Sequence, residues 1–226
     1  IQVQQDQNIK GFTLLELLVV VTIVMVISAV AYPNFSSWSK DREVRKSAEQ
    51  VSTMLSTITS AVQRGNYSFV QLMVTPKKDK IEIHTRGLQR KGYTRLLKKR
   101  NSQNTQITCS TNKDDWKSNL GGNPEIQKVT VKGVATQLDK TSSVCFSKNA
   151  AHYSTSGGLS QGNLIFEKNE HKRFIIVCSS DLAQTKGGKC PLKEKDGLKK
   201  PAYLIEWSRF GQIQKYRFSG NDWIRQ

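Results

Sequence analysis

The sequence predicts an α+β protein: one long amino-terminal helix, then a head of antiparallel β-strands. Three features predict it. No charged residue occurs between Glu16 and Lys40, and Leu17 to Tyr32 is almost wholly aliphatic. Beyond it, apolar residues recur at steps of three and four. The remainder consists of short β-branched segments separated by glycine pairs, with no internal repeat. The 226 residues have a mean hydropathy of −0.50. That is too apolar for a disordered chain and too polar for a multispanning membrane protein. Without the aliphatic block the rest is polar and basic. The composition argues for one membrane segment plus one soluble domain, and against a plain cytosolic enzyme.

Residues 1–11, IQVQQDQNIKG, are polar and lack the apolar core of a secretory signal. The apolar run 12–33, FTLLELLVVVTIVMVISAVAYP, follows the Lys10-Gly11 pair. Roughly 20 apolar residues suffice to cross a bilayer as a helix. Lys10 holds the start on the cytoplasmic side. Glu16 is the anomaly, because a carboxylate inside such a span costs on the order of 2–3 kcal/mol or more. The run offers it no cation, so the partner must come from another molecule or from a newly made amine. Cutting after Gly11 frees the amine of Phe12, four residues from Glu16.

The string Lys10-Gly11-Phe12-Thr13-Leu14-Leu15-Glu16 resembles the processing site of type IV prepilins and type II secretion pseudopilins. In that family a membrane aspartyl peptidase cuts after the glycine and methylates the new Phe amine. The resemblance implies that Glu16, fifth in the mature chain, recruits and registers subunits. Pro33, the twenty-second mature residue, stands where these proteins carry a helix-loosening proline. The implied partners are other pilins or pseudopilins through the amino-terminal helix, the prepilin peptidase and an inner-membrane assembly platform. The implied location is a single-pass inner-membrane protein with a periplasmic head, later part of a filament at the cell surface.

The resemblance makes the α+β expectation a pilin-like one, with a leader at 1–11, a membrane and assembly helix at 12–35, an amphipathic helix at 36–65 and a β-rich head at 66–226. The amphipathic stripe reads Phe35, Trp38, Arg42, Val44, Ala48, Val51, Leu55, Ile58, Ala61 and Val62. Its polar face holds Asp41, Arg45, Glu49 and Thr53, and Arg64-Gly65 ends it. Residues 33–66 are similar to the FimT/GspH branch of minor pilins and pseudopilins. In the head, 81–85, 129–134, 163–167, 173–178, 203–207 and 212–218 read as strands. Hairpins are expected through 168–172 and Ser208–Gly211, and turns at Gly121-Gly122, Gly157-Gly158 and Gly187-Gly188. The Lys-rich stretch 184–200 reads as a surface loop tied by Cys190.

Cys109, Cys145, Cys178 and Cys190 match no CxxC pattern. An even number beyond a membrane favours disulfides. Three pairings are possible. The short polar loop favours Cys178 with Cys190, which leaves Cys109 with Cys145.

No catalytic or metal motif occurs, and no cofactor is expected. His84, His152 and His171 lie on unrelated segments, and Asp114-Asp115 reads as a solvated turn. The net charge of +17 points to an anionic partner, although 24 Lys against 11 Arg also follows from an AT-rich genome. The densest basic segment holds Lys77, Lys78, Arg90, Lys91, Arg95, Lys98, Lys99 and Arg100, with Tyr93 available for stacking on a base. Lesser clusters are Lys186–Lys200 and Arg209, Lys215, Arg217 and Arg225. The FimT branch includes DNA-binding minor pilins with a Gly-Arg-x-Arg motif near the carboxyl end. The comparable turn here, Phe210-Gly211-Gln212-Ile213-Gln214, lacks those arginines. The function expected is therefore a structural, non-enzymatic minor pilin or pseudopilin, with DNA uptake as a possible role of its head. The alternative is a type II secretion pseudopilin that contacts exported proteins.

Overall fold

Helix α1 begins where the sequence supplies a cap. Thr13 Oγ1 accepts a hydrogen bond from the Glu16 N–H at 3.2 Å, and Thr13-Leu14-Leu15-Glu16 has capping-box spacing. From there α1 runs Leu14–Gln63, 50 residues. It ends in a Schellman motif: Gly65 takes φ 78°, its N–H donates to the Val62 carbonyl, and the Asn66 N–H donates to the Ala61 carbonyl. The structure is a computed structural model that describes residues 12–103, 109–111, 116, 125–153, 159, 164–166, 169–171 and 173–226. Side chains at 30–34, 125–126, 164–166 and 169–171 are not described. The expected leader 1–11, the Asp114-Asp115 pair and the turns at 121–122 and 157–158 lie outside the described residues.

The chain divides into two compact units, Ile1–Ser39 and Lys40–Gln226. In the second unit a five-stranded antiparallel sheet has the order β3-β2-β1-β5-β6. Its strands are β1 (Phe69–Pro76), β2 (Lys80–Leu88), β3 (Glu125–Lys132), β5 (Ser142–Ser147) and β6 (Ala150–Tyr153). A second antiparallel sheet has the order β12-β11-β10-β9-β4. Its strands are β4 (Val134–Thr136), β9 (Phe174–Ser179), β10 (Ala202–Trp207), β11 (Ile213–Phe218) and β12 (Trp223–Arg225). β7 (Leu164–Phe166) and β8 (Asn169–His171) form a separate hairpin.

Both large sheets turn an apolar face to the same helix. Val44, Ala48, Val51, Leu55, Ile58 and Val62 recur at steps of four and three. They meet Leu72, Val74, Ile81 and Ile83 of the first sheet and Ile175, Val177, Ile205 and Trp207 of the second. Each fully buried aliphatic side chain of this kind contributes about 1.5–3 kcal/mol. The stripe begins later than the sequence predicts. Phe35 and Trp38 are 64% and 52% exposed and Arg42 is exposed, so burial starts at Val44.

Each sheet is covered on its other face as well. On the first sheet the cover is helix α2 (Arg90–Ser102), whose Tyr93 and Leu96 pack with Phe69, Leu88, Cys109, Trp116 and Cys145. On the second sheet, Cys190 and Leu198 of the Lys-rich stretch pack on Ile176, Leu204, Phe218 and Trp223. The stretch expected to be a surface loop tied by Cys190 thus also closes an apolar face. The short helix α3 (Ser180–Gln184) leads into it, capped by the Ser179 hydroxyl, which accepts from the Leu182 N–H.

The hairpin expected through 168–172 is corrected. β7 pairs with β8, and β9 joins β10 and β4 instead. The apolar run Phe174–Val177 is buried on both faces, and β10 and β4 flank it on its two edges. The hairpin β10–β11 forms as predicted, with the Gly211 N–H donating to the Ser208 carbonyl at φ 80°.

Candidate assembly and interaction surfaces

In the first unit the helix presents a nearly continuous aliphatic surface. Phe12, Leu14, Leu15, Leu17, Leu18 and the aliphatic residues through Ile27 are exposed, Leu14 to 84%. Thr22 hides its hydroxyl by donating to the Val19 carbonyl at 2.8 Å. Glu16 is the one charged group on this surface, and residues 12–39 contain no Lys or Arg. Exposed apolar area on this scale marks a surface that another apolar phase covers. Among the described residues no helix is long and apolar enough to cross a membrane. The described side chains of the apolar run are those of 12–29. Gly11 and the Pro33 side chain lie outside the described set, while α1 itself continues through position 33.

The dense basic segment is divided between two elements. Lys77 and Lys78 lie in the β1–β2 turn, at one end of the nine-residue strand β2. Arg90, Lys91, Arg95, Lys98, Lys99 and Arg100 lie on α2, beyond its other end. At about 3.3 Å per residue, roughly 27 Å of strand lies between the turn and the start of α2. The six α2 cations have no acid among them. Tyr93 stacks on Phe69 with ring centroids 5.2 Å apart, so one face of its ring is already taken. Lys77 sits instead with Lys80 and Lys128 around Glu82. The hydrogen bond from Lys80 holds the Glu82 carboxyl below its ordinary range, and the charges of Lys80, Lys77 and Lys128 add to this.

Two of the four cations of the carboxyl-terminal basic cluster, Lys215 and Arg217, are engaged by α1. Arg217 pairs with Asp41 at 3.1 Å, and the Tyr203 hydroxyl donates to the same carboxylate at 3.3 Å. Lys215 pairs with Glu49, which also has Arg45 at 3.7 Å. The Lys215 hydrogen bond, then the charges of Lys215 and Arg45, hold the Glu49 carboxyl below its ordinary value against partial burial. Lys40 pairs with Asp181 at 2.7 Å and Lys189 with Asp139 at 3.5 Å.

Cys109 is bonded to Cys145 and Cys178 to Cys190. The first bond lies under α2 and the second fastens the cover of the second sheet. His152 tilts against Phe69 at 5.5 Å and lies 3.3 Å from the Ser147 hydroxyl, while His84 lies on β2. Among the described residues no group of His, Cys, Asp or Glu could hold a metal ion. Two features lie beyond the sequence expectations. The Thr13 cap has a signal in its Thr-x-x-Glu spacing. The lysines of β3, Lys128 and Lys132, carry no signal beyond alternation.

Comparison with known proteins bears on the amino terminus most directly. Residues 6–32 match the family described as the prokaryotic N-terminal methylation motif. Two fimbrial proteins of Pseudomonas aeruginosa are similar to the chain, at 30% and 29% identity over 105 residues. Each match covers 46% of this chain and 62% of the relative, so the chain spans less than two thirds of the length of the relatives it matches. No solved structure matches the chain. The methylation motif and the fimbrial relatives make the chain similar to type IV pilins at its amino terminus, and its long amino-terminal helix followed by antiparallel sheets is a pilin-like α+β arrangement.

Proposed function

We propose that the chain is a minor subunit of a type IV pilus-like filament, close to the FimT/GspH branch, with a structural and not an enzymatic role. It is made as a prepilin, cut between Gly11 and Phe12 and methylated on the Phe12 amine. It rests in the inner membrane through 12–33 with its head in the periplasm. The observation that carries this reading is the exposed aliphatic helix with the single carboxylate Glu16 and no cation of its own. A neighbouring subunit's Phe12 amine supplies the missing charge, and burial of the aliphatic faces drives bundling. The minor role follows from charge. Of the 35 Lys and Arg, 34 lie beyond residue 39, with 16 of the 18 acids, so the unit Lys40–Gln226 carries about +18. Copies packed side by side repel one another, which favours isolated subunits among less basic neighbours.

Shearing filaments from cells that express Glu16→Leu tests the reading. The variant helix is more apolar, so membrane residence persists while recovery in sheared filaments falls. Normal recovery of Glu16→Leu in filaments overturns the pairing. A wild-type chain confined to the envelope and needed for protein export moves the assignment to the type II secretion alternative.

A second reading, favoured by α2, makes the head a DNA receptor. The helix docks by its apolar side and leaves Arg90, Lys91, Arg95, Lys98 and Lys99 exposed. Binding of this kind is electrostatic and sequence-independent. Replacing Lys98, Lys99 and Arg100 with Gln lowers the salt slope by up to about three phosphate contacts. An unchanged slope removes α2 from the interface.

A further inference from the structure

β3 is the last strand of the first sheet, and its side chains Gln127, Lys128, Thr130 and Lys132 are exposed. The direction of its backbone groups follows from its neighbours. The Gly133 N–H donates to the Asp79 carbonyl and the Thr85 hydroxyl donates to the Gln127 carbonyl, so odd-numbered residues bond toward β2. The alternate residues Lys128, Thr130 and Lys132 therefore aim their N–H and C=O groups away from the sheet. Their side chains share the sheet's outer face with Lys80, Glu82 and His84, which stand opposite Lys132, Thr130 and Lys128; Glu82 is paired with Lys80 at 3.3 Å, so one acid on this face is set against the three lysines Lys80, Lys128 and Lys132. The other side of β3 is apolar: Val131 is buried, and Val129 packs against the core around α1.

An edge of this kind is a template for another strand. Its charges decide which strand. A second copy of β3, antiparallel and centred on Thr130, sets Lys128 against Lys132 twice, and Lys132 already faces Lys80. Like charges directly opposite are destabilising, so the edge rejects its own copies. A strand that places Asp or Glu opposite Lys128 and Lys132 relieves that repulsion. Its intervening apolar residues extend the row of Val129 and Val131. We propose that the outer edge of β3, which pairs with no further strand among the described residues, binds an extended acidic segment of a different protein, with acidic and apolar residues in alternation, by adding a strand to the first sheet. This is independent of how the amino-terminal helix assembles.

The test uses the full chain in detergent micelles and three labelled peptides, read by fluorescence anisotropy. One peptide alternates Glu and Val over eight residues. The second has the same composition with the four Glu and four Val in separate blocks. The third alternates Lys and Val. The proposal expects the first alone to bind and to protect the amide protons of Lys128, Thr130 and Lys132 from exchange. Lys128→Glu with Lys132→Glu weakens it by about tenfold or more and turns the preference to the Lys–Val peptide. Thr130→Pro abolishes binding while leaving the ladder to β2 intact, because the N–H it removes points outward. Absence of binding leaves the lysines as guards against aggregation and overturns the proposal. Equal binding of the block peptide, or binding unchanged by Thr130→Pro, overturns it in favour of unspecific charge attraction.

Discussion

Removing each disulfide in turn tests how the head is held together. The bond Cys109–Cys145 closes a separation of 36 residues and Cys178–Cys190 one of 12. In the chain-entropy account the longer loop is worth about 3.8 kcal/mol and the shorter about 2.8 kcal/mol at 25 °C. The four cysteines are all buried, so replacing each pair with Ala leaves comparable small voids, and the difference between the variants is the cleaner quantity. Cys109→Ala with Cys145→Ala is expected to be less stable than Cys178→Ala with Cys190→Ala by about 1 kcal/mol. Urea titration of the full chain in micelles, followed by tryptophan fluorescence, measures it. Trp116 lies in the cluster beside the first bond and Trp223 in the cluster beside the second, so each site has its own reporter. Mass spectrometry of the unreduced protein checks the pairings first. Equal destabilisation, or a larger loss from the shorter loop, refutes the loop-entropy reasoning. It would mean that the cover held by Cys190 and Leu198 matters more than chain restriction.

Two further outcomes are expected. Gly133 sits at φ 73°, and a Cβ added there would collide with the Glu43 carboxylate, so Gly133→Ala costs about 1–2 kcal/mol from the backbone alone. Adding Glu43→Ala recovers only the contact; full recovery in a thermal melt would show that the left-handed backbone is not the cause. Glu49 has its carboxyl lowered in the folded state, so its stabilising effect is complete above the ordinary carboxylate range and fades as pH falls through the lowered value. Lys215→Gln accordingly destabilises by at most about 1 kcal/mol at neutral pH, since the Glu49 side chain is 49% exposed. The gap from wild type closes in acid; a gap that widens there contradicts the pairing.

Much of α1 is legible in the sequence because its signals are local. Burial at Val44, Ala48, Val51, Leu55, Ile58 and Val62 follows the 3.6-residue period, and Arg64-Gly65 stops the helix with groups within five residues of one another. Phe35 and Trp38 keep the same period and yet are exposed. Only the presence or absence of a packing surface separates them from Val44. The hairpin β10–β11 is legible for a similar reason, since its turn and alternation lie in one short segment. β1 gives no such signal although it is central to its sheet: FVQLMVTP is buried almost throughout and so shows no alternation. The basic residues of α2 read as a charged track because the apolar residues that dock it, Tyr93 and Leu96, are few.

The amino-terminal surface was determined by the sequence itself. The Gly11-Phe12 junction, the cap at Thr13, the place of Glu16 and the aliphatic run depend on covalent spacing and helical period alone. The register of the sheets was decided only in three dimensions. Met73 of β1 faces Ser143 of β5 across a long stretch of chain, and nothing near either residue encodes the other. Nor could a count of charges reveal which cations are engaged. Arg217 and Lys215 are drawn to Asp41 and Glu49 because β11 lies beside α1, whereas Lys132 stays outward because β3 ends its sheet and Lys128 shares Glu82 with Lys80 and Lys77. Pairing depends on which surfaces meet, and that is a property of long-range packing, not of neighbouring residues.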